Sequence, residues 1–341
     1  MTTLTVIVPA TNRPSTLLRA TAAIARATSP PEELIVVDDP PSLSAVAARN
    51  AGARLARGEL VVFIDADVEI HADVFTRIRA VFDADPGLTA VFGSYDDAPS
   101  AEGTVSAFRN LLHHHVHQNG GGPAETFWAG LGAVRRDAFL AAGGFDAGRF
   151  AHPSIEDIEL GARLTARGAR IRLDPTIRGT HLKAWTLRSM VWTDFARRGI
   201  PWVALQLREG RSSTALNCGW HHRLSAGVAL AGAGSALQRR PGRVAASGLA
   251  LAALNHAFYA LLLRRRGCRQ AALGLGLHAL HHLTAVAAVP AGVLVHARER
   301  AGALRTPAPA PGVVVQLPSA RPAAAPAPAV AEEPALVAEV A

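Results

Sequence analysis

The run Gly58-Glu-Leu-Val-Val-Phe-Ile-Asp-Ala-Asp67 constrains this chain most. An apolar stretch of β-formers, Leu60 to Ile64, stops abruptly at two carboxylates, Asp65 and Asp67, one small residue apart. A strand this apolar is expected to be buried, and an unpaired buried carboxylate costs several kcal/mol. The acids are therefore expected at the strand's carboxyl end, in the crevice where open α/β sheets bind ligands. Two neighbouring carboxylates repel each other unless a cation intervenes. A hard divalent ion bridging to a diphosphate is the simplest resolution; a solvated Asp-rich turn is the plainer alternative.

Residues 1 to about 210 alternate strand-like and helix-like segments. Leu4–Val8 reads as a strand, and Ser15–Ala27 as a helix with Ser15 as its N-cap. Glu33–Val37 reads as a strand ending in Asp38-Asp39, and Ser44–Arg57 as a helix with Gly58 just past its end. A helix near Ala72–Asp83 and a strand at Leu88–Gly93 follow. This rhythm predicts an α/β domain with a mostly parallel sheet flanked by helices. The first turn, Pro9-Ala-Thr-Asn-Arg-Pro14, contains no glycine, so the dinucleotide fingerprint is missing where an NAD enzyme would carry it.

After residue 220 the character changes. The apolar share of the 341 residues is 49%, and the excess is concentrated in this part. Three runs, 224–238, 244–263 and 271–295, read as apolar helices of a membrane region spanning 211–300. Arg264-Arg-Arg266 separates the last two and belongs on the cytoplasmic side, which favours three crossings. Residues 301–341 are Ala/Pro-rich and read as a disordered tail. Net charge is +8, almost all of the basic residues are Arg, and Lys183 is the sole lysine. No basic stripe interleaved with aromatics accompanies it, so nucleic acid is not the expected partner and an anionic membrane face is. Cys218 and Cys268 form neither a zinc spacing nor a disulfide framework. The N-terminal segment lacks the pattern of a signal peptide, so the first domain is expected in the cytoplasm.

Further signals join the two acids. Thr126-Phe-Trp-Ala-Gly-Leu-Gly132 sets glycines beside an aromatic pair, as suits a loop approaching a sugar. Ser154-Ile-Glu-Asp-Ile-Glu places Glu156 and Asp157 in a helix's first turn, where the dipole favours negative charge. His181 follows the strand-like Ile171–Leu173. His113 and His117 stand i, i+4, spaced to share an ion or to line an acceptor site as part of a polar helix face. Trp185, Trp192 and Trp202, with Arg188, Arg197 and Arg198, form a collar between the domain and the apolar runs. The collar either rests on lipid headgroups or presents an acceptor to the site.

In this order the motifs resemble glycosyltransferase family 2 on the GT-A nucleotide-diphospho-sugar fold, over residues 3–205. Gly93-Ser-Tyr-Asp-Asp97 and Arg109-Asn-Leu-Leu-His113 resemble membrane-attached bacterial members. The resemblance implies that Pro9, Ala10, Thr11, Asp38 and Asp39 line a nucleoside pocket with Arg49 in reach. It implies that Asp65, Asp67 and His181 hold Mg²⁺ or Mn²⁺ on the donor diphosphate. Trp128, Gly130 and Gly132 would shape the sugar and acceptor site, Asp157 would be the catalytic base, and Glu156 would orient the acceptor. Pro40-Pro41 stand where the family carries a glycine after the paired acids. The activity so implied is inverting, metal-dependent transfer from a nucleotide-sugar to a lipid-linked or membrane-associated acceptor. Its expected place is the bacterial inner membrane, multi-pass, with the catalytic domain cytoplasmic. A nucleotidyltransferase on a similar sheet, or a membrane scaffold that keeps the fold without catalysis, are the alternatives.

Overall fold

The structure, a computed structural model, describes residues 2–210 and 219–305. Most of the expected tail, Cys218 and the segment 211–218 lie outside the described residues. In chain order the first elements are β1 (Leu4–Pro9), α1 (Leu17–Ala25), β2 (Glu33–Val37), α2 (Ala45–Leu55) and β3 (Leu60–Ile64). Then come β4 (Val68–Ile70), α3 (Val74–Ala84), β5 (Ala90–Tyr95), α4 (Thr104–Asn119), β6 (Gly122–Ala124) and β7 (Leu131–Arg135). They are followed by α5 (Arg136–Ala141), α6 (Glu156–Thr165), β8 (Ile171–His181) and α7 (Leu187–Trp192). A π-helical segment, Thr193–Gly199, leads into α8 (Ile200–Glu209). The last helices are α9 (Trp220–Leu237), α10 (Pro241–Leu254) and α11 (His256–Arg305).

One sheet runs in the order β2-β1-β3-β7-β5-β8-β4, with β6 added on β8. Strands β1, β2, β3, β5 and β8 point one way, while β4, β6 and β7 run against them. The mixed sheet with helices on both faces matches the expected α/β class. Strand β3 explains why it is buried throughout. Leu60, Val62 and Ile64 enter the core beneath α1 and α3, whereas Val61 and Phe63 enter the opposite core with Phe139, Phe145 and Leu160. Side chains alternate between faces, and a strand covered on both sides has no solvent face to fill with polar residues.

Sequence and structure differ at the first helix. Its N-cap is Thr16 rather than Ser15, and no side chain caps it, because the Thr16 hydroxyl donates to the Ala66 carbonyl at 2.8 Å. Helix α2 is capped by Ser44, whose oxygen accepts from the Ala47 amide at 3.2 Å.

The apolar runs also divide differently. The run 244–263 is not one helix: α10 ends at Leu254, and the buried Asn255 amide donates to the Leu251 carbonyl and to the Ser225 hydroxyl. With 14 residues α10 is about 21 Å long, short of a hydrocarbon core about 30 Å thick. Among the described residues one helix, His256–Ala301, is long and apolar enough to cross a membrane. It contains a break at Gly267, whose φ of 80° lies in the left-handed region that favours glycine. Just before the break, Arg265 pairs with Asp97, its Nε 2.7 Å from the carboxylate, and Arg266 donates to the Pro99 carbonyl. Arg265 and Arg266 thus lie against the sheet domain.

The C-terminal helices are packed onto that domain. Phe108, Leu111, Leu112 and Val116 of α4 share a core with Phe258, Leu261 and Leu262 of α11. Helix α11 also meets the π-helical segment and α8 at glycines: a Cβ on Gly199 would lie 2.5 Å from that of Ala288, and one on Gly292 2.5 Å from Val203. Gly292→Leu is therefore expected to destabilise the fold by roughly 1–3 kcal/mol through overpacking. Denaturant midpoints of the purified protein would measure it, and an unchanged midpoint would mean that α11 does not dock here.

Candidate active site

Asp65, the first of the acids foreseen at the end of β3, is held by a buried cation. Arg49, on α2, donates to Asp65 at 2.5 Å and to Glu156 at 3.0 Å. Arg49 and Glu156 are each about 5% exposed, Asp65 30%. Burial disfavours the guanidinium charge, but the two carboxylates outweigh that and raise its pKa. Burial raises Asp65 too, with Asp67 and Glu156 adding to it against the pull of Arg49.

Asp157 is brought to the same place by a short strap. The Asp65 amide donates to the Gly130 carbonyl at 3.1 Å, and the Ala129 amide donates to Asp157 Oδ2, also at 3.1 Å. Residues 129 and 130 thus connect the end of β3 to the start of α6. The approach is close: a Cβ on Gly130 would lie 2.5 Å from the Trp128 ring, and one on Gly132 2.4 Å from the Trp128 carbonyl oxygen. Burial, reinforced by Glu156, pushes Asp157 up to about 7, although the Ala129 and Ile158 amides and Arg49 favour its charged form. A carboxylate with that pKa is poised to exchange protons near neutrality.

His181 ends β8 opposite Val68 of β4, which brings it beside the second acid. Its Nδ1 lies 2.5 Å from Asn110 Oδ1, and its ring stacks on Tyr95 at 4.2 Å and 11°. With the Asn110 oxygen accepting, Nδ1 carries the proton and the Nε2 lone pair is free. That Nε2 sits 3.6 Å from Asp67 Oδ2, too far for a hydrogen bond. Burial tends to raise Asp67, but His181 in its protonated form and Lys183 outweigh it and hold the carboxyl below its usual value; the Nε2 lone pair is available when that proton is absent. Among the described residues no group of three or more His, Cys, Asp or Glu is arranged to hold a metal ion by itself. The pair nonetheless fits a hard divalent ion, which typically takes one or two carboxylates and completes its shell with water and phosphate. Adjacent ligands of an octahedral ion stand about 3 Å apart, given bonds of about 2.1 Å. The fixed tautomer of His181 supplies the lone pair such a ligand needs.

These groups open into one cavity of about 950 Å³. Arg49, Asp65, Asp67, Glu156, Asp157, Trp128, Gly130 and His181 line one part of it. Asp194, Arg197, Arg198 and Trp202 line another, together with Ala226 of α9 and Ala285, Val286 and Val289 of α11. His113 and His117 lie between, their rings 4.0 Å apart and packed on Trp128. Burial keeps both neutral, His117 falling to about 4 and His113 well below its ordinary value. His117 Nδ1 is bonded to the Gly93 carbonyl at 3.0 Å, so the i, i+4 pair lines the cavity. Trp185, Trp192 and Trp202 of the expected collar line it as well.

Pro9, Ala10, Thr11, Asp38 and Asp39 stand at the carboxyl edge of β1 and β2, outside the residues that line the cavity. Asp38 and Asp39 are exposed, and the Thr11 hydroxyl donates to the Leu43 carbonyl. Gly132 lies within β7, opposite Phe63. Glu156 is turned to Arg49 and to the Ser154 amide at 2.6 Å, so it fixes the charge of the site's floor.

Sequence reasoning missed Asn110, Tyr95 and the group around Asp194. Arg109 lies 2.7 Å from Asp194, and His281 of α11 is 2.7 Å from its other oxygen. Arg109 and Asp194 are under 10% exposed. Burial tends to raise Asp194, but Arg109 and His281 hold it well below the usual carboxylate range. The grouping of Arg109, Asn110, His113, His114 and His117 on α4 was the available signal.

Arg49→Met is expected to destabilise the fold by about 3–5 kcal/mol, because it leaves Glu156 buried without a partner. Equilibrium unfolding would show it, and Glu156→Gln in the same background should recover part of the loss. A variant as stable as the parent would mean that Arg49 is not the cation holding these acids.

The family profile for Glycosyl transferase family 2 matches residues 43–141, from the turn before α2 to the end of α5. No curated protein is significantly similar in sequence. The mannosyltransferase PcManGT from Pyrobaculum calidifontis, solved with GDP-Man and Mn²⁺, shares the fold at a TM-score of 0.50. It is 19% identical, with 88% of each chain covered. GalNAc-T7 with UDP, GalNAc and Mn²⁺ gives a TM-score of 0.42 at 15% identity, covering 61% of this chain and 48% of its own. TarS of S. aureus gives 0.40 at 14% identity, covering 60% and 39%. The family 2 glycosyltransferase profile thus falls on the segment that carries Arg49, Asp65, Asp67 and Gly130, and the sheet beneath them has the GT-A fold seen in PcManGT.

Proposed function

We propose that this chain is an inverting, metal-dependent glycosyltransferase that passes a sugar from a nucleotide-sugar donor to a hydroxyl of a membrane-associated, lipid-linked acceptor. The observation that carries the reading is the shared cavity, with Asp65, Asp67 and Asp157 in one part and apolar residues of α9 and α11 in another. PcManGT, which has this fold, was solved with a nucleotide-sugar and a divalent ion together, the pairing of ligands proposed here.

Asp67 and His181 Nε2 would hold Mg²⁺ or Mn²⁺, with Asp65 beside them and Lys183 within electrostatic reach. The ion, when bound, supplies positive charge to the departing nucleoside diphosphate. Pro9, Ala10, Thr11, Asp38 and Asp39 lie along the edge of β1 and β2, where an open groove would receive the nucleoside. Asp157 takes the proton from the acceptor hydroxyl as that oxygen attacks the anomeric carbon, opposite the leaving group. Asn110 and Tyr95 hold the His181 ring in place, and Glu156 with Arg49 sets the charge around Asp157.

Membrane attachment is part of the same reading. The apolar surface of α9 to α11, with Trp220, Leu224, Leu230, Leu249 and Leu273 exposed, would face lipid. The catalytic domain, with Arg265 and Arg266 against it, would stay on the cytoplasmic side of a bacterial inner membrane.

The pH dependence follows from Asp157. A base works in its ionised form, and a carboxyl held near 7 is ionised above and protonated below that value. Transfer is expected to rise with pH through about 7, with Asp157→Asn lowering turnover roughly 10²–10⁴-fold at every pH. Nucleoside diphosphate affinity, measured by calorimetry with Mn²⁺, should be little changed in that variant. Undiminished turnover would remove Asp157 from the role. Asn110→Leu is expected to weaken Mn²⁺-dependent nucleotide binding about 10–100-fold, as loss of a partner that orients a ligand does. Titration with Mn²⁺ held constant would check it, and parental affinity would separate His181 from the ion.

A further inference from the structure

The cavity separates its charges. Asp65, Asp67, Glu156 and Asp157 gather around Arg49, and Lys183 is the cation whose influence falls on Asp67. On the π-helical segment the balance reverses. Asp194 is already committed to Arg109 and His281. The neighbouring guanidinium groups of Arg197 and Arg198 make no hydrogen bond or ion pair among the described residues, although both line the cavity and are half-buried. Arg198 acts on Tyr95, His113, His117 and Asp194. The main charges acting on Asp157 are instead Glu156 and Arg49.

The same cavity is lined by apolar Trp202 and Val203 of α8, Ala226 of α9 and Ala285, Val286 and Val289 of α11, with Gln206, His222, His281 and His282 among them. The π-helix aims its own side chains there: Thr193, Asp194, Arg197 and Arg198 all reach this cavity. Single π-turns recur at functional sites for this reason. Ser154, three residues before Asp157, donates to the Arg197 carbonyl at 2.5 Å and ties the segment to the α6 start.

We propose that Arg197 and Arg198 form a phosphate-binding subsite for the acceptor, which carries a phosphate at this pair, an apolar chain along α8, α9 and α11, and its attacking hydroxyl at Asp157. The inference rests on the glycosyltransferase reading and deepens it. Two unpaired guanidinium groups side by side suit a phosphate, whose oxygens accept from their planar N–H forks. A cavity wall that sets apolar side chains beside a few placed polar and charged groups is the usual composition of a site for an amphiphile. Binding energy gained at the phosphate and chain, away from the reacting atoms, would position the hydroxyl.

The test uses the full chain in detergent and reads the fluorescence of the tryptophans in the cavity. Dodecyl phosphate is titrated below its micelle concentration, with inorganic phosphate and dodecanol as controls for each half of the ligand. Dodecyl phosphate is expected to bind at least tenfold more tightly than either control. Arg197→Gln with Arg198→Gln should remove that advantage, whereas Arg188→Gln, outside the cavity, should keep it. Ala226→Phe should reduce dodecyl phosphate to the affinity of inorganic phosphate. Calorimetric binding of a nucleoside diphosphate with Mn²⁺ should stay parental in the Arg197 and Arg198 variants. The proposal is overturned if dodecyl phosphate binds no better than dodecanol, or if the double variant binds it as the parent does. It is equally overturned if the double variant loses nucleoside diphosphate affinity by the same factor, which would assign these arginines to the donor. Absence of nucleotide binding in the parent would instead count against the glycosyltransferase reading, whatever the dodecyl phosphate result.

Discussion

The site depends on the buried ion-pair cluster around Arg49. Two of the carboxylates that the chain concentrates here, Asp65 and Glu156, come from elements more than ninety positions apart (65 and 156) and meet on one guanidinium. Without that cation the end of β3 and the start of α6 would repel each other. With it, the acids are held close while Asp67 and the Asp157 carboxylate remain free of ion pairs to arginine. The arrangement also explains why neighbouring acids differ in behaviour. Glu156 is consumed in structure, and its charge, together with burial, lifts Asp157 into the range of a base working near neutrality.

A second buried cluster performs the equivalent task between domain and C-terminal helices. Asp194 receives Arg109 from α4 and His281 from α11, so the helix reaching furthest from the sheet is anchored beside the cavity. Glycines at 199 and 292 allow the backbones to approach closely. As a result α9 and α11 wall the same cavity as the acids. Under the proposed function, a substrate with an apolar portion would meet both.

Much of the fold was legible in the sequence. The β3 run, flanked by glycine and acids, matched its strand residue for residue, and so did Glu33–Val37. Such runs are readable because a strand buried on both faces must be apolar throughout and must end where charge begins. The Glu156-Asp157 pair fell at a helix start because the dipole there favours acids. Less was legible after residue 220. A run of small apolar residues looks alike in a crossing helix and in one packed on a protein surface. Only the break at Asn255 and the short α10 distinguished them.

The sequence alone determined which elements form, which acids stand at their ends and which family the chain resembles, since these follow from local periodicity and motif order. Tertiary structure decided what each charged group meets. Arg49 joined Asp65 to Glu156, Asn110 fixed the tautomer of His181, Asp194 engaged His281, and the Arg197 and Arg198 guanidinium groups were left without partners among the described residues. The physical reason is that burial makes a charge depend on the nearest opposite charge in space. In this chain that partner is supplied by a distant element, placed there by sheet order and helix packing.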